Sequence, residues 1–248
     1  MFRVVIPARF HSARLPGKVL LPLAGKPMLQ WVCERARASR ASEMVVATDD
    51  PRIADAARLC GAEAVMTAAH PSGTDRIAEV ARSRGWPDED IVVNLQADEP
   101  LMPPALIDQV SELLAAERSA QIATLASPIS TLEELLDPRV VKVVADRRGH
   151  ALYFSRASIP WDRDGASAGS ERRFEAARRH IGLYAYRVAA LLHLAGLAPS
   201  PLEELERLEQ LRALENGLSI VVGTAAVRPG PDVNTPEDLE RVRALLER

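Results

Sequence analysis

Short apolar runs alternate with longer stretches whose apolar residues recur every three or four positions, a pattern that predicts an α/β fold with strands and helices in turn. The first run, residues 2–6, is rich in Val and Ile and stops at Pro7, so it predicts a buried strand in the middle of a parallel sheet. Residues 27–39 then predict a helix with Pro27 at its first position and an apolar face of Met28, Leu29, Val32, Cys33 and Ala36. A second strand is expected over 44–47. Asp50 should cap the next helix, with Pro51 at its start and Gly61 just past its end. Residues 64–66 read as a short strand, 75–84 as a helix opened by Thr74, and 91–95 as the clearest buried strand of the chain.

The second half is less regular. A helix over 104–118 and a strand over 122–126 continue the alternation, but 140–145 and 151–154, joined by a turn at Gly149, predict a β-hairpin. Residues 161–175 are polar, contain Gly165 and Gly169, and read as a mobile loop. A strand over 180–186 leads to helices over 188–197 and 201–216, the latter closed by Gly217. Leu202, Leu205, Leu208, Leu211 and Leu214 place a leucine at every third position of that last helix, a stripe read as core because it is too short for a coiled coil. A strand over 219–223 and a helix over 236–246 complete the chain.

With 248 residues, 47% of them hydrophobic, the chain can bury a sizeable core, and one domain spanning 1–248 is expected. A formal net charge of −3 argues against a binder that depends on a basic face for nucleic acid. Cys33 and Cys60 belong to no metal or redox spacing and read as buried thiols. No apolar run reaches the length of a membrane span and no secretory signal opens the chain, which predicts a cytoplasmic protein.

The candidate chemistry starts at the loop after the first strand, where Arg9, Ser12, Arg14 and Lys18 accompany Gly17. Ligands of open α/β sheets bind at the carboxyl edge, and three cations there suit a polyphosphate, although such residues can also form a solvated surface. The loop is neither a Walker A sequence nor a Gly-x-Gly-x-x-Gly turn. Ser72-Gly73-Thr74 can be an ordinary helix cap or a place where backbone and hydroxyls read a pyrimidine edge. Asp98, at the tip of the 91–95 strand, faces the same edge and is a candidate ligand for the Mg²⁺ that accompanies a nucleoside triphosphate.

Arg14-Leu-Pro-Gly-Lys18 after a strand ending Ile6-Pro-Ala-Arg9 resembles the signature of the sugar nucleotidyltransferases, and specifically of the 3-deoxy-manno-octulosonate (Kdo) cytidylyltransferases. The resemblance continues in family order through Val46-Ala-Thr-Asp49, Ser72-Gly-Thr-Asp-Arg76, Val93-Asn-Leu-Gln96-Ala-Asp98-Glu99-Pro100 and Ala151-Leu-Tyr-Phe-Ser-Arg156. It extends through Ile159-Pro-Trp-Asp-Arg163, Arg179-His-Ile-Gly-Leu-Tyr184, Ser200-Pro-Leu-Glu203, Leu208-Glu-Gln-Leu-Arg212 and Thr235-Pro-Glu-Asp-Leu-Glu-Arg-Val242.

It implies a Rossmann-like three-layer nucleotidyltransferase fold, a mostly parallel mixed sheet with helices on both faces, and a β-hairpin and dimerisation subregion at about 150–200. It further implies transfer of CMP from CTP to Kdo with release of pyrophosphate, in lipopolysaccharide biosynthesis, by a cytoplasmic Mg²⁺-dependent homodimer. Arg14, Lys18 and Asp98 would be catalytic, and Ala8, Arg9, Ser12, Arg14, Lys18, Ser72, Gly73 and Arg76 would hold the nucleotide. Gln96, Arg156, Arg163, His180, Tyr184, Glu209 and Gln210 would meet the sugar, with Asp98 and Asn234 on the metal.

Two positions depart from the family pattern. Asn234 stands where an Asp is usual, so the second metal ligand is an amide unless Asp232 supplies the charge, and Ala97 replaces a Gly beside the expected acceptor. Alternative readings are CTP-dependent activation of a sialic-acid-like sugar, or a nucleotide-binding homologue without catalysis.

Overall fold

A computed structural model of the chain describes residues 1–12, 15–163 and 176–247. Its elements run β1 (Phe2–Ala8), β2 (Pro22–Leu23), β3 (Lys26–Pro27), α1 (Met28–Arg37), β4 (Glu43–Thr48), α2 (Pro51–Leu59), β5 (Glu63–Met66) and α3 (Gly73–Arg84). They continue with β6 (Ile91–Asn94), α4 (Pro104–Ala116), β7 (Ile122–Pro128), α5 (Leu132–Leu136), β8 (Lys142–Ala145) and β9 (Ala151–Ser155). The last are β10 (Arg178–Arg187), α6 (Val188–Ala195), α7 (Pro201–Glu206), α8 (Gln210–Glu215), β11 (Ile220–Thr224) and α9 (Pro236–Leu246).

The main sheet runs β11-β7-β10-β6-β1-β4-β5, with β8 and β9 paired beside β10. β1 lies between parallel β6 and β4, and Val4, Val5 and Ile6 are wholly buried, each contributing about 1.5–3 kcal/mol of apolar burial. The strand runs on through Pro7 because its pairing with β6 ends at Val5 and Asn94, so the missing N–H of Pro7 costs no ladder bond. β10 is antiparallel to both β6 and β7, which makes the sheet mixed. One buried cluster joins α1 and α4 to one face, and a second joins α3, α6 and α8 to the other.

The local signals act as their chemistry requires. The Asp50 side chain accepts a hydrogen bond from the Arg52 N–H with Pro51 at N1, while Gly61 follows at φ 70°, a cap worth about 1 kcal/mol. The five expected residues of α1 are all buried, and burial pushes the Cys33 thiol up to about 12.

Several expectations are corrected. Ser72, not Thr74, caps α3, so Gly73 and Thr74 belong to the helix. Cys60 is only half-buried and lies at the end of α2. α5 was not expected. The helix expected over 201–216 is two helices, because Arg207 adopts φ 54° and breaks it. Its leucines therefore share no single face: Leu211 is wholly buried while Leu205 is 81% exposed. Most of the expected loop at 161–175 lies outside the described residues.

Candidate active site

Three adjoining cavities open at the carboxyl edge of β1 and β6, and Gln96 lines all three. The first, of about 240 Å³, is bounded by Arg9, Ser12, Lys18, Gln96, Asp98 and Asn234. Gly17 shapes its loop: at φ 65° its N–H donates to the Phe10 carbonyl, and a Cβ would stand 3.1 Å from the Phe10 ring. The short turn that follows carries Lys18 inward. Lys18 Nζ donates to Asp98 Oδ2 at 2.6 Å, to the Val233 carbonyl at 3.2 Å and to Asn234 Oδ1 at 3.3 Å. Arg14, expected here, lies outside the described residues.

The two acidic segments are held in place from behind. The Val233 N–H donates to the Asp98 carbonyl, and the Asp238 carboxylate that completes the α9 capping box also accepts from the Asn234 N–H. Asn234 Nδ2 donates to Asp232 Oδ2 at 2.5 Å, which leaves Oδ1 turned toward Lys18. Protein packed around Asp232, and then the Asp98 charge, push its carboxyl above the usual range, although its surface is open to solvent. Burial pushes Glu99 well above that range, with Asp98 and Asp232 adding to the effect.

A carboxylate, a carbonyl and an amide oxygen thus converge on one ammonium, and these hard oxygens suit Mg²⁺. Among the described residues no group of three His, Cys, Asp or Glu side chains could hold a metal, so a cation here would draw its other ligands from bound phosphate and water.

The second cavity, about 110 Å³, is lined by Ala8, Arg9, His70, Ser72, Gly73 and Arg76 as well as Gln96. Ser72 Oγ accepts from the Asp75 N–H and donates to the Asp75 carboxylate. Gly73 is needed for closeness, since a Cβ would lie 3.2 Å from Pro7 Cγ. Arg76 is buried and its guanidinium is engaged by Asp49, Thr67 and the Ala68 carbonyl, so it braces this wall from inside.

The third cavity, about 140 Å³, is lined by Asn94, Gln96, Tyr184, Tyr186, Glu209 and Gln210, among others. Among the described residues the buried Tyr184 hydroxyl has no hydrogen-bond partner, and burial pushes both tyrosine phenols up. Burial also raises Glu209, while the Thr74 and Ser72 hydroxyls pull it the other way. An unsatisfied buried hydroxyl is rare, and the Tyr184 hydroxyl marks a place where a polar ligand fits. Asn94, Tyr186 and the Val233 carbonyl were missed by sequence reasoning. Asn94 alone left a signal, a polar residue closing a wholly buried strand.

Not every expected residue joins these cavities. Ala97 is buried in the core and lines the first cavity, not the third, so its methyl bears on the cation end. Arg163 and Arg156 line none of the three. His180 lies behind Tyr184, edge-on to Phe154, with Nε2 at 3.1 Å from the Thr124 hydroxyl.

Burial, helped by the charge of Arg179, pushes the His180 pKa down to about 3, so it is neutral in the fold. The unfolded chain takes up this proton near 6.5, so the stabilising contribution is present above about pH 6.5 and is lost as pH falls toward about 3. His180→Gln should therefore lose less melting temperature than the parent between about pH 7 and 4. An equal loss in both would contradict this account.

One end of the continuous site thus carries cations and hard oxygens, and the other carries buried hydroxyls and a carboxyl. Such an arrangement can bind a polyphosphate against a polyhydroxylated acceptor.

A family model described as cytidylyltransferase matches residues 3–220. Relatives named 3-deoxy-manno-octulosonate cytidylyltransferase include those of Thioalkalivibrio sulfidiphilus and Pseudomonas fluorescens. That of Thioalkalivibrio sulfidiphilus is 56% identical over 246 residues, covering 99% of this chain and 98% of the relative. That of Pseudomonas fluorescens is 55% identical over 249 residues, covering 99% and 98%. A solved structure of CMP:2-keto-3-deoxy-manno-octonic acid synthetase complexed with CTP has a TM-score of 0.89 at 42% identity, covering 100% of this chain and 99% of that one. The 4-diphosphocytidyl-2C-methyl-D-erythritol synthase structure, at 13% identity and a TM-score of 0.65 over 99% of both chains, shares the fold.

Proposed function

The chain belongs to the 3-deoxy-manno-octulosonate cytidylyltransferase family, and from that membership we propose that it transfers CMP from CTP to Kdo with release of pyrophosphate. The observation that carries this reading is the shared position of Gln96, which joins the cation-lined cavity to the two others.

Arg9, Ser12 and Lys18 hold the triphosphate, a task the family resemblance also gives to Arg14. Ala8, Ser72 and Gly73 receive the nucleoside, and Arg76 keeps their wall rigid. Tyr184, Glu209 and Gln210 receive the sugar, with the buried Tyr184 hydroxyl supplying a bond that only a polar acceptor satisfies. The anomeric oxygen forms a bond to the α-phosphorus as the bond to the β-phosphate oxygen breaks, so the protein's task is to align the partners and offset the growing charge.

Asp98 and Asn234 would hold Mg²⁺, which neutralises phosphate charge when bound. Lys18, at the same cavity, supplies positive charge to offset that of the departing phosphates. Titration with CTP should give markedly tighter binding with Mg²⁺ than with excess chelator. Equal affinity in both would remove the metal from this scheme.

A cytoplasmic homodimer acting in lipopolysaccharide biosynthesis is part of the proposal. Exposed Leu132, Leu136, Leu152 and Trp161, all in the middle of the chain, support a partner surface there.

A further inference from the structure

Lys142 is fully buried, and its ammonium uses its three hydrogen bonds on backbone carbonyls. Nζ donates to Asp137 at 3.0 Å, to Val140 at 2.6 Å and to Arg156 at 2.6 Å. A buried charge is costly unless its partners are fixed, so this one ties the turn at residues 137–140 to the chain just past β9.

Arg156 carries that relation onward. Its Nε donates to the Glu206 carbonyl at 2.7 Å, Nη1 to the Pro138 carbonyl at 3.1 Å and Nη2 to the Arg207 carbonyl at 3.5 Å. Glu206 answers with its carboxylate, which accepts from the Ser155 hydroxyl at 2.6 Å and from the Arg156 N–H at 3.0 Å. The clasp closes on the residue where the leucine-rich segment breaks, Arg207 at φ 54°, a backbone conformation a non-glycine residue keeps only when its surroundings impose it. Immediately beyond the break, Glu209 and Gln210 open α8 on the wall of the acceptor cavity. In the continuous helix that the leucine pattern predicts, neither would start a new helix at this wall.

We propose that Lys142 and Arg156 are positioning residues for the acceptor, acting through the Glu206–Arg207 break to set Glu209 and Gln210. This rests on the transfer of CMP to Kdo proposed above. It assigns Arg156 to the backbone of α7 and not to the sugar.

The test uses the full chain, with Arg156→Gln, Lys142→Met and Glu209→Gln alone and in pairs, measuring the KM values for Kdo and CTP together with thermal unfolding. Arg156→Gln should raise the Kdo KM on the order of tenfold while moving the CTP KM less than about twofold, because a small misplacement penalises the ligand that depends on it. In the Glu209→Gln background, Arg156→Gln and Lys142→Met should each add less than about twofold, since coupled residues are not additive. Full multiplication of the Arg156→Gln and Glu209→Gln effects would overturn the proposal by making Arg156 a direct ligand. A lowered melting temperature with an unchanged Kdo KM would overturn it by making the clasp purely structural. Arg156→Gln keeps the test open if Lys142→Met fails to fold. Failure of the parent chain to turn over Kdo would instead overturn the function on which the proposal rests.

Discussion

Asp98→Asn is expected to lower the rate of pyrophosphate release about a thousandfold, at the upper end of what one electrostatic contact contributes. The substitution keeps the shape of the side chain and removes a carboxylate from the site where Lys18 Nζ stands 2.6 Å away. The Asp98 carbonyl still receives the Val233 N–H, so the turn is retained and the loss belongs to the chemistry. Asn234 offers a neutral oxygen, so Asp98 is the main charge for a metal at this point and its removal leaves two amides. Steady-state kinetics with circular dichroism as a fold control would check this. A loss below about tenfold would mean that Asp232 supplies the charge instead.

Lys18→Gln is expected to cost about a hundredfold in kcat, because on the proposed reaction it removes the cation that would stabilise the departing pyrophosphate. The same change leaves Asp98 facing Asp232 and Glu99, whose carboxyls the present geometry already pushes up. Lys18→Arg keeps the charge, but its planar fork does not match an ammonium held by three separate oxygens, so only part of the rate should return. Equal rates for Lys18→Gln and the parent would show that the loop binds phosphate without taking part in the reaction.

Much of the scaffold was legible because its signals are local. Asp50, Pro51 and Gly61 mark helix ends through their own backbone preferences. Pro27 stands one residue before the start of α1 and not at its first position, and the apolar period of α1 named its buried face residue by residue. The meeting of Lys18 and Asp98 could also be anticipated, since each follows a buried strand and those strands run parallel to one edge. What failed was set by distant contacts. Leucines at every third position favour one helix over 201–216, but Arg156, just past β9, donates to the Glu206 and Arg207 carbonyls and the Glu206 carboxylate binds back to Ser155 and Arg156, where Arg207 leaves the helix. A motif match likewise told the type of Arg156 and not where its guanidinium points. The Val233 carbonyl could not be read at all, because any residue provides one.

Pyrophosphate release by the full chain with CTP and Mg²⁺, run in parallel with Kdo and with a sialic acid as acceptor, tests the central claim most directly. Turnover with Kdo alone is the predicted result, with Asn234 and Ala97 tolerated in a working site. Turnover only with the sialic acid, or tight CTP binding with no turnover on either sugar, would contradict it.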